Sequence, residues 1–326
     1  MKAPKTVLLV GCGEMAVSYA SVLRAFGADF SVIGRGEAAC AKFSAQTGII
    51  PLSGGVELAA TKGLLQAQTA IVAVNVDQLA PVTDRLIASG VKRILLEKPG
   101  GLNQPEIIAI DQRATAHQAE VFVAYNRRFY ASVRQARELI AADGGATSLF
   151  FEFTEWSHLI APLPTAAAVK SEWFLANSSH VCDLAFFLGG FPVSLAAECR
   201  GALAWHPAGA QFAGCGITDT GAVFAYHSNW ESAGRWGVEI CTARRRLHLR
   251  PLETLHEQMR GELVLRPVPL EKQMDKDFKP GLHAQTRAFL EGAGAASGLL
   301  PLSEQVRHIT EVYRRMVPIR PPQPHA

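Results

Sequence analysis

The sequence predicts an α/β protein: a doubly wound parallel sheet first, then an α+β domain with a mostly antiparallel sheet. Three observations predict it. Short apolar runs alternate with helical patterns over residues 1–122, as in a parallel sheet covered by helices on both faces. A glycine-rich turn follows the first run. After residue 125, strand-like runs follow one another through Gly, Pro and Asn turns, which is typical of antiparallel pairing.

In the first region, apolar runs of strand length separate segments with helical spacing. The expected strands are residues 7–10, 30–33, 69–74 and 93–96. The expected helices are the segment after the glycine-rich turn and residues 37–47, 78–89 and 104–117. This alternation of strand and helix is what a parallel sheet requires. Each helix carries the chain back to the end of the sheet where the previous strand began, so that the next strand runs in the same direction.

In the second region the helices are few and the strands come in series. The expected helices are residues 132–142, 179–188, 282–292 and 302–316. The expected strands are residues 149–156, 197–205, 210–217, 221–230, 236–242, 245–250 and 262–268. We therefore predict a dinucleotide-binding domain over residues 1–122 and a substrate-binding and oligomerisation domain over 123–317. Residues 318–326 are rich in proline and are expected to form a loose tail.

Composition excludes several classes of protein. Of 326 residues, 48% are hydrophobic and 19% charged, which fits a globular chain with a sizeable core. The net charge of +3 is spread along the chain, so neither a nucleic-acid-binding face nor a polybasic membrane anchor is expected. The longest apolar stretch, residues 184–197, is interrupted by Gly and Pro and is too short to span a bilayer, so no transmembrane helix is expected. Six cysteines without a C-x-x-C pair, and no secretion signal in the first residues, predict reduced thiols in a cytoplasmic protein.

The turn after the first strand predicts a dinucleotide-binding site. It has the G-x-G-x-x-A form, with Gly11 for the tight turn, Gly13 for close approach of a pyrophosphate and Ala16 for close packing of the helix. The helix that follows presents free N–H groups to an anion. The residues expected to contact the cofactor here are Gly11, Cys12, Gly13, Glu14 and Met15.

The end of the second strand predicts which cofactor is preferred. An Asp or Glu there would bind the ribose hydroxyls of NAD, but the chain has Arg35 between two glycines. An arginine pairs well with a 2′-phosphate, which favours NADP(H) over NAD(H). The alternative is that Arg35 is solvated and Glu37 holds the ribose. Asn75, at the end of the third strand, is a candidate for contact with the nicotinamide side.

Three motifs give the chain a family resemblance. They are Glu97-Lys98-Pro99, the segment Tyr125-Asn126-Arg127-Arg128-Phe129, and His180 with Asp183. Together with the glycine turn, they resemble the E-K-P, Y-N-x-R-F and H-x-x-D motifs of the glucose–fructose oxidoreductase / inositol dehydrogenase / rhizopine catabolism family. The resemblance implies a Rossmann domain followed by a domain with a large open sheet. It also implies an NAD(P)-dependent oxidoreductase.

The resemblance also implies which residues are catalytic. Lys98 would bind the hydroxyl or carbonyl that reacts, with Glu97 orienting it or contacting the cofactor, and His180 would share the proton transfer. One departure matters: Ala176 stands where the family pattern has an Asp four residues before the histidine. Either Lys98 and His180 suffice, or a group such as Asn177 or Glu155 takes part.

Further residues are candidates for contact with a sugar, because aromatic faces and amide or basic groups suit its C–H faces and hydroxyls. The predicted substrate-binding residues are Lys98, Trp173, Asn177, His180, Asp183 and Trp236. Weaker candidates are Trp156, His158, Arg235 and Lys279, for each of which packing is the alternative. Arg127 and Arg128 are expected either to bind cofactor or substrate or to form ion pairs. No metal site is expected.

These observations predict an NADP(H)-preferring oxidoreductase acting on a secondary alcohol or ketone of a sugar, nucleotide sugar or cyclitol. One alternative is reduction of a non-sugar imine, enone or ketone, suggested by the missing Asp. Another is a non-catalytic dinucleotide-binding sensor or partner protein. The apolar strand at 223–226 lies in the open sheet and predicts a homodimer or homotetramer through that face.

Overall fold

The computed structural model describes residues 7–292 and 294–318. They form two compact units. The first contains the chain up to Asn126 together with Met274–Val306. The second contains Arg127–Gln273 and the chain from Arg307 onward. The sequence predicts a domain boundary after residue 122, and that division stays a prediction. Of the predicted C-terminal tail, only Pro318 lies within the described residues.

Within the described residues, fourteen strands form two sheets. They are β1 Val7–Val10, β2 Phe30–Ile33, β3 Thr69–Val72, β4 Arg93–Glu97, β5 Glu120–Ala124, β6 Ser148–Glu152, β7 Pro192–Arg200, β8 Gln211–Thr218, β9 Val223–Asn229, β10 Gly237–Cys241, β11 Arg245–Leu249, β12 His256–Met259, β13 Leu265–Pro267 and β14 Leu300–Pro301.

The described residues also contain thirteen α-helices. They are α1 Glu14–Ala25, α2 Glu37–Thr47, α3 Gly55–Thr61, α4 Leu79–Ala88, α5 Gln104–Ala116, α6 Ala131–Ala142, α7 Ser157–Ile160, α8 Ala167–Ser171, α9 Ser179–Gly189, α10 Gln273–Asp277, α11 Leu282–Leu290, α12 Leu302–Arg307 and α13 Arg314–Met316. Two further segments, Phe174–Ser178 and His308–Tyr313, are π-helical.

The first sheet has the order β14-β5-β4-β3-β1-β2 and is parallel except at β14. All four residues of β1 and of β3 are buried, as continuous apolar strands in a covered parallel sheet should be. The chain moves from β1 to β2 on one side and then to β3 on the other. β1 therefore ends at the point where the strand order reverses, which is where open α/β sheets bind ligands.

The second sheet has the order β13-β12-β11-β10-β6-β9-β8-β7. All of its neighbours are antiparallel except β6 and β9, which are parallel. α9 packs on one face of this sheet, against β6 and β10. The core under that face contains Phe151, Phe153 and Tyr226, each at most 2% exposed. The predicted fold class is confirmed: a doubly wound, mostly parallel sheet and a large, mostly antiparallel one.

Some elements differ from the sequence-based expectation. β7 begins at Pro192 instead of residue 197, because a register shift between Pro192 and Ser194 interrupts the period-2 pattern. β12 was not predicted, since all four of its residues are half-buried and none marks an apolar face. The expected helix at 302–316 contains the π-helical segment His308–Tyr313 in its middle.

Candidate functional site

The turn between β1 and α1 has the geometry that a dinucleotide pyrophosphate needs. Gly11 has a φ of +127°, and a Cβ there would lie 2.1 Å from the carbonyl oxygen of Ala73. Only glycine fits this position. A Cβ at Gly13 would meet nothing within 4 Å, so open space lies above the turn. Gly13 is the N-cap of α1 and no side chain caps the helix, which leaves its first N–H groups for an anion.

A cavity of about 450 Å³ adjoins this turn within the first unit. Five predicted cofactor contacts line it: Gly11, Cys12, Gly13, Arg35 and Asn75. The residues present therefore fit a nicotinamide dinucleotide, with glycines at the pyrophosphate position and a cation at the end of β2. The sequence did not reveal that α3 and Gln78 also line the cavity, because neither belongs to the glycine motif.

Arg35 and one carboxylate, that of Glu57, line this cavity beyond the end of β2. Arg35 is exposed, and its Nη1 donates to Oε1 of Gln78 at 2.6 Å. Glu37, the predicted alternative, begins α2 and does not line the cavity. Glu57 does line it, and its Oε2 lies 3.2 Å from Nε of Arg85. A carboxylate that the sequence analysis did not consider thus faces the same space as Arg35.

Two predicted cofactor contacts, Cys12 and Glu14, interact with other side chains near the turn. The thiol of Cys12 lies 3.8 Å from that of Cys40, and burial raises the pKa of Cys12 to about 12, so the thiol stays neutral. Glu14 is exposed and its Oε1 lies 2.8 Å from Nζ of Lys42. Met15 is partly exposed on the first turn of α1. Their contact with a cofactor stays a prediction.

Glu97 and Lys98 stand at the carboxyl end of β4, in the first unit. Glu97 Oε1 accepts a hydrogen bond from the hydroxyl of Tyr19 on α1 at 2.8 Å. Burial raises the pKa of Glu97, while the Tyr19 hydrogen bond and the charges of Lys98 and Lys279 act in the opposite direction. Lys98 is partly buried and is joined to Pro99 by a cis peptide bond.

The returning segment Met274–Val306 fixes this edge of the first unit. Gln305 is fully buried and donates to the carbonyl of Pro99 at 3.1 Å and to the hydroxyl of Tyr125 at 3.0 Å. Asn126 donates to the carbonyl of Pro280 at 3.0 Å. Sequence reasoning missed these supports, since a lone Gln or Pro some 180 residues from its partner carries no motif.

In the second unit, His180 lies in the first turn of α9 and is 3% exposed. The π-helical segment Phe174–Ser178 comes immediately before it, and such turns are frequent at functional sites. Within that segment, Asn177 donates to Oε1 of Glu155 at 2.9 Å and Ser178 donates to the same oxygen at 2.7 Å. A buried carboxylate therefore lies against the turn that contains Ala176, where the resembling family has an Asp.

Asp183 is held by an arginine. Its two oxygens accept from Nε and Nη2 of Arg128 at 2.8 and 2.6 Å, and the pair is almost fully buried. Burial raises the pKa of Asp183, and the Arg128 hydrogen bonds oppose that rise and favour the ionised form. Nδ1 of His308 lies 3.9 Å away. Arg128 thus forms the ion pair that was one of its two expected roles, and substrate contact by Asp183 stays a prediction.

Trp236 connects His180 to two other arginines. Its ring centroid lies 6.2 Å from that of His180. The guanidinium of Arg127 lies over the indole at 4.6 Å and that of Arg235 at 4.9 Å. Nη1 of Arg235 is also 3.8 Å from Oε2 of Glu155. The structure therefore links four predicted residues: Asn177 and Arg235 contact Glu155, Arg235 lies over Trp236, and His180 lies beside Trp236.

Trp173, Trp156 and His158 surround a different feature of the second unit. Trp156 and His158 line an open cavity of about 590 Å³ that Trp205 and Trp230 also line. Trp173 packs edge-on against Trp205 with centroids 6.0 Å apart. Trp156 donates to the carbonyl of Gly234 at 2.8 Å. Trp173 is thus placed with the tryptophans of this cavity, and its contact with a substrate stays a prediction.

Residues 7–292 and 294–318 contain neither a cluster of metal-ligating side chains nor a helix fit to span a membrane. No group of three or more His, Cys, Asp or Glu side chains there is arranged to hold a metal ion. In the same residues no helix has the length and apolarity needed to cross a bilayer.

Comparison with known proteins gives structural neighbours only. No protein-family model matches the sequence, and no curated protein matches it. An oxidoreductase from Agrobacterium radiobacter, solved with NAD+, L-tartaric acid and magnesium, superposes with a TM-score of 0.76 at 13% identity, covering 96% of both chains. The chain has the fold of that oxidoreductase.

Two further neighbours carry more specific names. An inositol dehydrogenase homologue from Azotobacter vinelandii, complexed with NADH and myo-inositol, gives a TM-score of 0.72 at 16% identity, covering 96% of this chain and 95% of the other. A UDP-N-acetylglucosamine 3-dehydrogenase from Acidithiobacillus ferrooxidans gives 0.71 at 16% identity, covering 96% and 97%. The first of these is named as a homologue of inositol dehydrogenase, which belongs to the family that the sequence motifs resemble, and the fold which that resemblance implies is confirmed.

Proposed function

We propose that the protein is an oxidoreductase that uses a nicotinamide dinucleotide, prefers NADP(H), and acts on a secondary alcohol or ketone of a sugar-like compound. The observation that carries the proposal is the glycine turn at the strand-order reversal, with its open cavity and an arginine at the end of β2. The names of the structural neighbours support it, since they include sugar, cyclitol and nucleotide-sugar dehydrogenases and complexes with NAD+ or NADH.

Gly11, Gly13, Arg35 and Asn75 would hold the cofactor, which when bound exchanges a hydride with the substrate carbon. The protein's own task is the proton. For oxidation, a base must take the hydroxyl proton as the carbon loses hydride; for reduction, an acid must return it. We assign this to Lys98, at the end of β4, and to His180, at the start of α9. Both side chains are at least partly buried, which suits a proton-transfer group.

Glu155 favours the sugar-like substrate over the non-sugar alternative. The missing Asp at Ala176 was the reason to consider a different carbonyl chemistry. Glu155 contacts Asn177 and Ser178, the two residues that follow Ala176, and therefore supplies a carboxylate beside the same turn. We propose that it takes over the positioning role.

Replacing Lys98 by Ala tests the assignment. We expect turnover with NADPH to fall about 100-fold or more, the usual contribution of a positioned acid–base group, while nucleotide affinity stays within about threefold. Turnover is measured by NADPH absorbance with a panel of keto-sugars, and affinity by NADPH fluorescence. The matched control is Lys92→Ala, which removes an exposed lysine next to β4 that donates to the carbonyl of His117. Turnover that survives in Lys98→Ala contradicts the assignment, and nucleotide binding without turnover on any substrate favours the sensor alternative.

We also propose that the uncovered face of the second sheet joins copies of the chain. Across β7, β8 and β9 the exposed small side chains of Ala196, Cys215 and Ala225 stand in one row. Ile217 and Val223 beside them are 44% and 54% exposed. A flat apolar face of this kind is typical of an interface. Light scattering that finds a single chain at micromolar concentration would refute the assembly.

A further inference from the structure

Arg127 has a buried guanidinium nitrogen without a hydrogen-bond acceptor. Its Nε is shielded from solvent, and no described residue accepts a hydrogen bond from it. No carboxylate of the described residues lies within ion-pair distance of its guanidinium, and its close contact is the face of Trp236 at 4.6 Å. Burial lowers the pKa of Arg127 from the usual arginine value, and the more distant charges of Tyr130, Glu253 and Glu155 oppose that shift. Arg127 as a whole is half-buried, and its shielded N–H donor without an acceptor costs free energy unless an anion arrives to accept from it.

A second guanidinium shares the same indole. Arg235 lies 4.9 Å from the Trp236 centroid, and its charge acts against that of Arg127. Glu155 is the buried carboxylate beside them, and it already accepts hydrogen bonds from Asn177 and Ser178. Glu253 acts on Arg127 as well, yet no ion pair joins either carboxylate to Arg127, whose Nε has no acceptor among the described residues. The same indole lies next to His180, whose ring centroid is 6.2 Å from that of Trp236.

The neighbouring Arg128 shows that this arrangement is specific to one position. Arg128 has a full bidentate partner in Asp183. Arg127 stands at the variable position of the Y-N-x-R-F pattern that the sequence resembles. The sequence thus places a cation at this site that the pattern does not require. Guanidinium groups bind carboxylates and phosphates through paired N–H groups.

We infer that Arg127 and Arg235 form a subsite for an anionic group of the substrate, so that the compound oxidised or reduced carries a carboxylate or a phosphate. This inference rests on the proposed function, which makes His180 a residue of the substrate site. It narrows the substrate from sugar-like compounds in general to sugar acids or phosphorylated sugars. All the residues that carry it belong to the second unit.

The test is calorimetric titration of the full protein, saturated with NADPH so that the phosphate-binding turn is filled. The probes are D-glucuronate, D-glucose and inorganic phosphate, because the first two share a ring and differ at one carboxylate. We expect the wild type to bind glucuronate about tenfold or more tightly than glucose. Arg127→Gln should abolish that difference and Arg127→Lys should restore part of it. Arg137→Gln is the matched control, since Arg137 also lies over an aromatic ring, that of Phe187 at 4.7 Å.

Each outcome decides the inference. Preference for glucuronate supports a carboxylate ligand, and saturable binding of phosphate supports a phosphorylated one. The inference is overturned if neither anion binds, or if the preference survives Arg127→Gln. Loss of NADPH affinity in Arg127→Gln also overturns it, because the arginine would then serve the cofactor. If Arg127→Gln does not fold, Arg235→Gln, at a partly exposed side chain, should lower the preference by about threefold or more.

Calorimetric titration together with a turnover assay separates this inference from the proposed function. Oxidation of neutral polyols with no gain from a carboxylate overturns the anionic subsite and leaves the oxidoreductase standing. If the protein binds anions through Arg127 but binds no nicotinamide nucleotide, the anionic subsite stands and the proposed oxidoreductase function is overturned.

Discussion

We propose that cofactor preference depends on the side chain of Arg35. It lies at the end of β2, lines the cofactor cavity and is steadied by Gln78. An arginine can make charge-assisted hydrogen bonds to a 2′-phosphate, whereas it gains little from a ribose hydroxyl. Glu57 lines the same cavity, and a carboxylate at the ribose would favour NAD(H) instead. Its charge is partly neutralised by the ion pair with Arg85.

Replacing Arg35 by Gln should therefore raise the dissociation constant of NADPH about tenfold and leave that of NADH within about twofold, since a hydrogen bond to a charged group contributes roughly 1.5–3 kcal/mol. Fluorescence titration with both nucleotides measures this. Arg113→Gln, which removes an arginine paired with Asp84 on the helices α4 and α5, is the control. If the wild type binds NADH more tightly than NADPH, the ribose is held by a carboxylate and the role of Arg35 is wrong.

Single residues also mark the limit of sequence reasoning. Lys98 and His180 stand in motifs with fixed local spacing, so they could be singled out from the sequence. Arg127 and Arg128 are adjacent and identical, and the sequence left their roles open. Only folding places Asp183, 55 residues later, against one and not the other. Long-range pairing of this kind has no local signal.

At the scale of elements, the β1–α1 turn has two glycines with different physical duties. Gly11 must be glycine because of its positive φ and the carbonyl of Ala73 at 2.1 Å from any Cβ. No atom lies within 4 Å of where a Cβ of Gly13 would stand, so the fold does not require glycine there. A need for glycine at this position would come from the ligand that binds above it.

The two glycines can be told apart by alanine substitution. Gly11→Ala should lower the free energy of unfolding by about 2 kcal/mol or more, because the turn must move. Gly13→Ala should leave unfolding within about 0.5 kcal/mol and weaken NADPH binding about tenfold or more, because its methyl group occupies the pyrophosphate position. Urea denaturation and nucleotide titration of both variants measure these two effects. Gly27→Ala is not a suitable control, because Gly27 has a φ of +62° and an alanine there would be strained. Normal nucleotide affinity in Gly13→Ala would contradict the placement of the pyrophosphate.

The regular elements were largely predictable where an apolar run or a periodic face marked them. β1 and α2 have the predicted bounds, because a buried strand and an isolated helix between glycines carry clear signals. The π-helical segment Phe174–Ser178 had no such signal, since its sequence fits an ordinary helix. The turn that presents Asn177 and Ser178 to Glu155 was therefore outside what the sequence alone could supply.

At the scale of the whole molecule, two buried histidines make stability depend on pH. Burial lowers the pKa of His206 to about 4 and that of His308 to about 3. Each is neutral in the folded chain, whereas the unfolded chain takes up a proton near pH 6.5. Their contribution is therefore complete above pH 6.5 and is lost as the pH falls from there toward 4.

The free energy of unfolding should accordingly fall by about 2 kcal/mol for each histidine between pH 6.5 and 5. Urea denaturation at several pH values measures the slope, and His206→Gln should make it shallower by about one proton. His158→Gln, at an exposed side chain of the same unit, should leave the slope unchanged. A flat profile across this range would show that both rings take up protons in the folded protein as they do in the unfolded chain.

The return of Met274–Val306 to the first unit has a consequence for synthesis. β14 completes the first sheet by pairing with β5, and α11 packs against α1. Since a ribosome adds roughly 5–20 residues per second, β5 waits roughly 10–40 s for its neighbour while the second unit is made. During that interval the nascent sheet keeps an open edge, the kind of edge that recruits chaperones or strands of neighbouring chains. The first unit, although encoded first, is among the last parts of the protein to be finished.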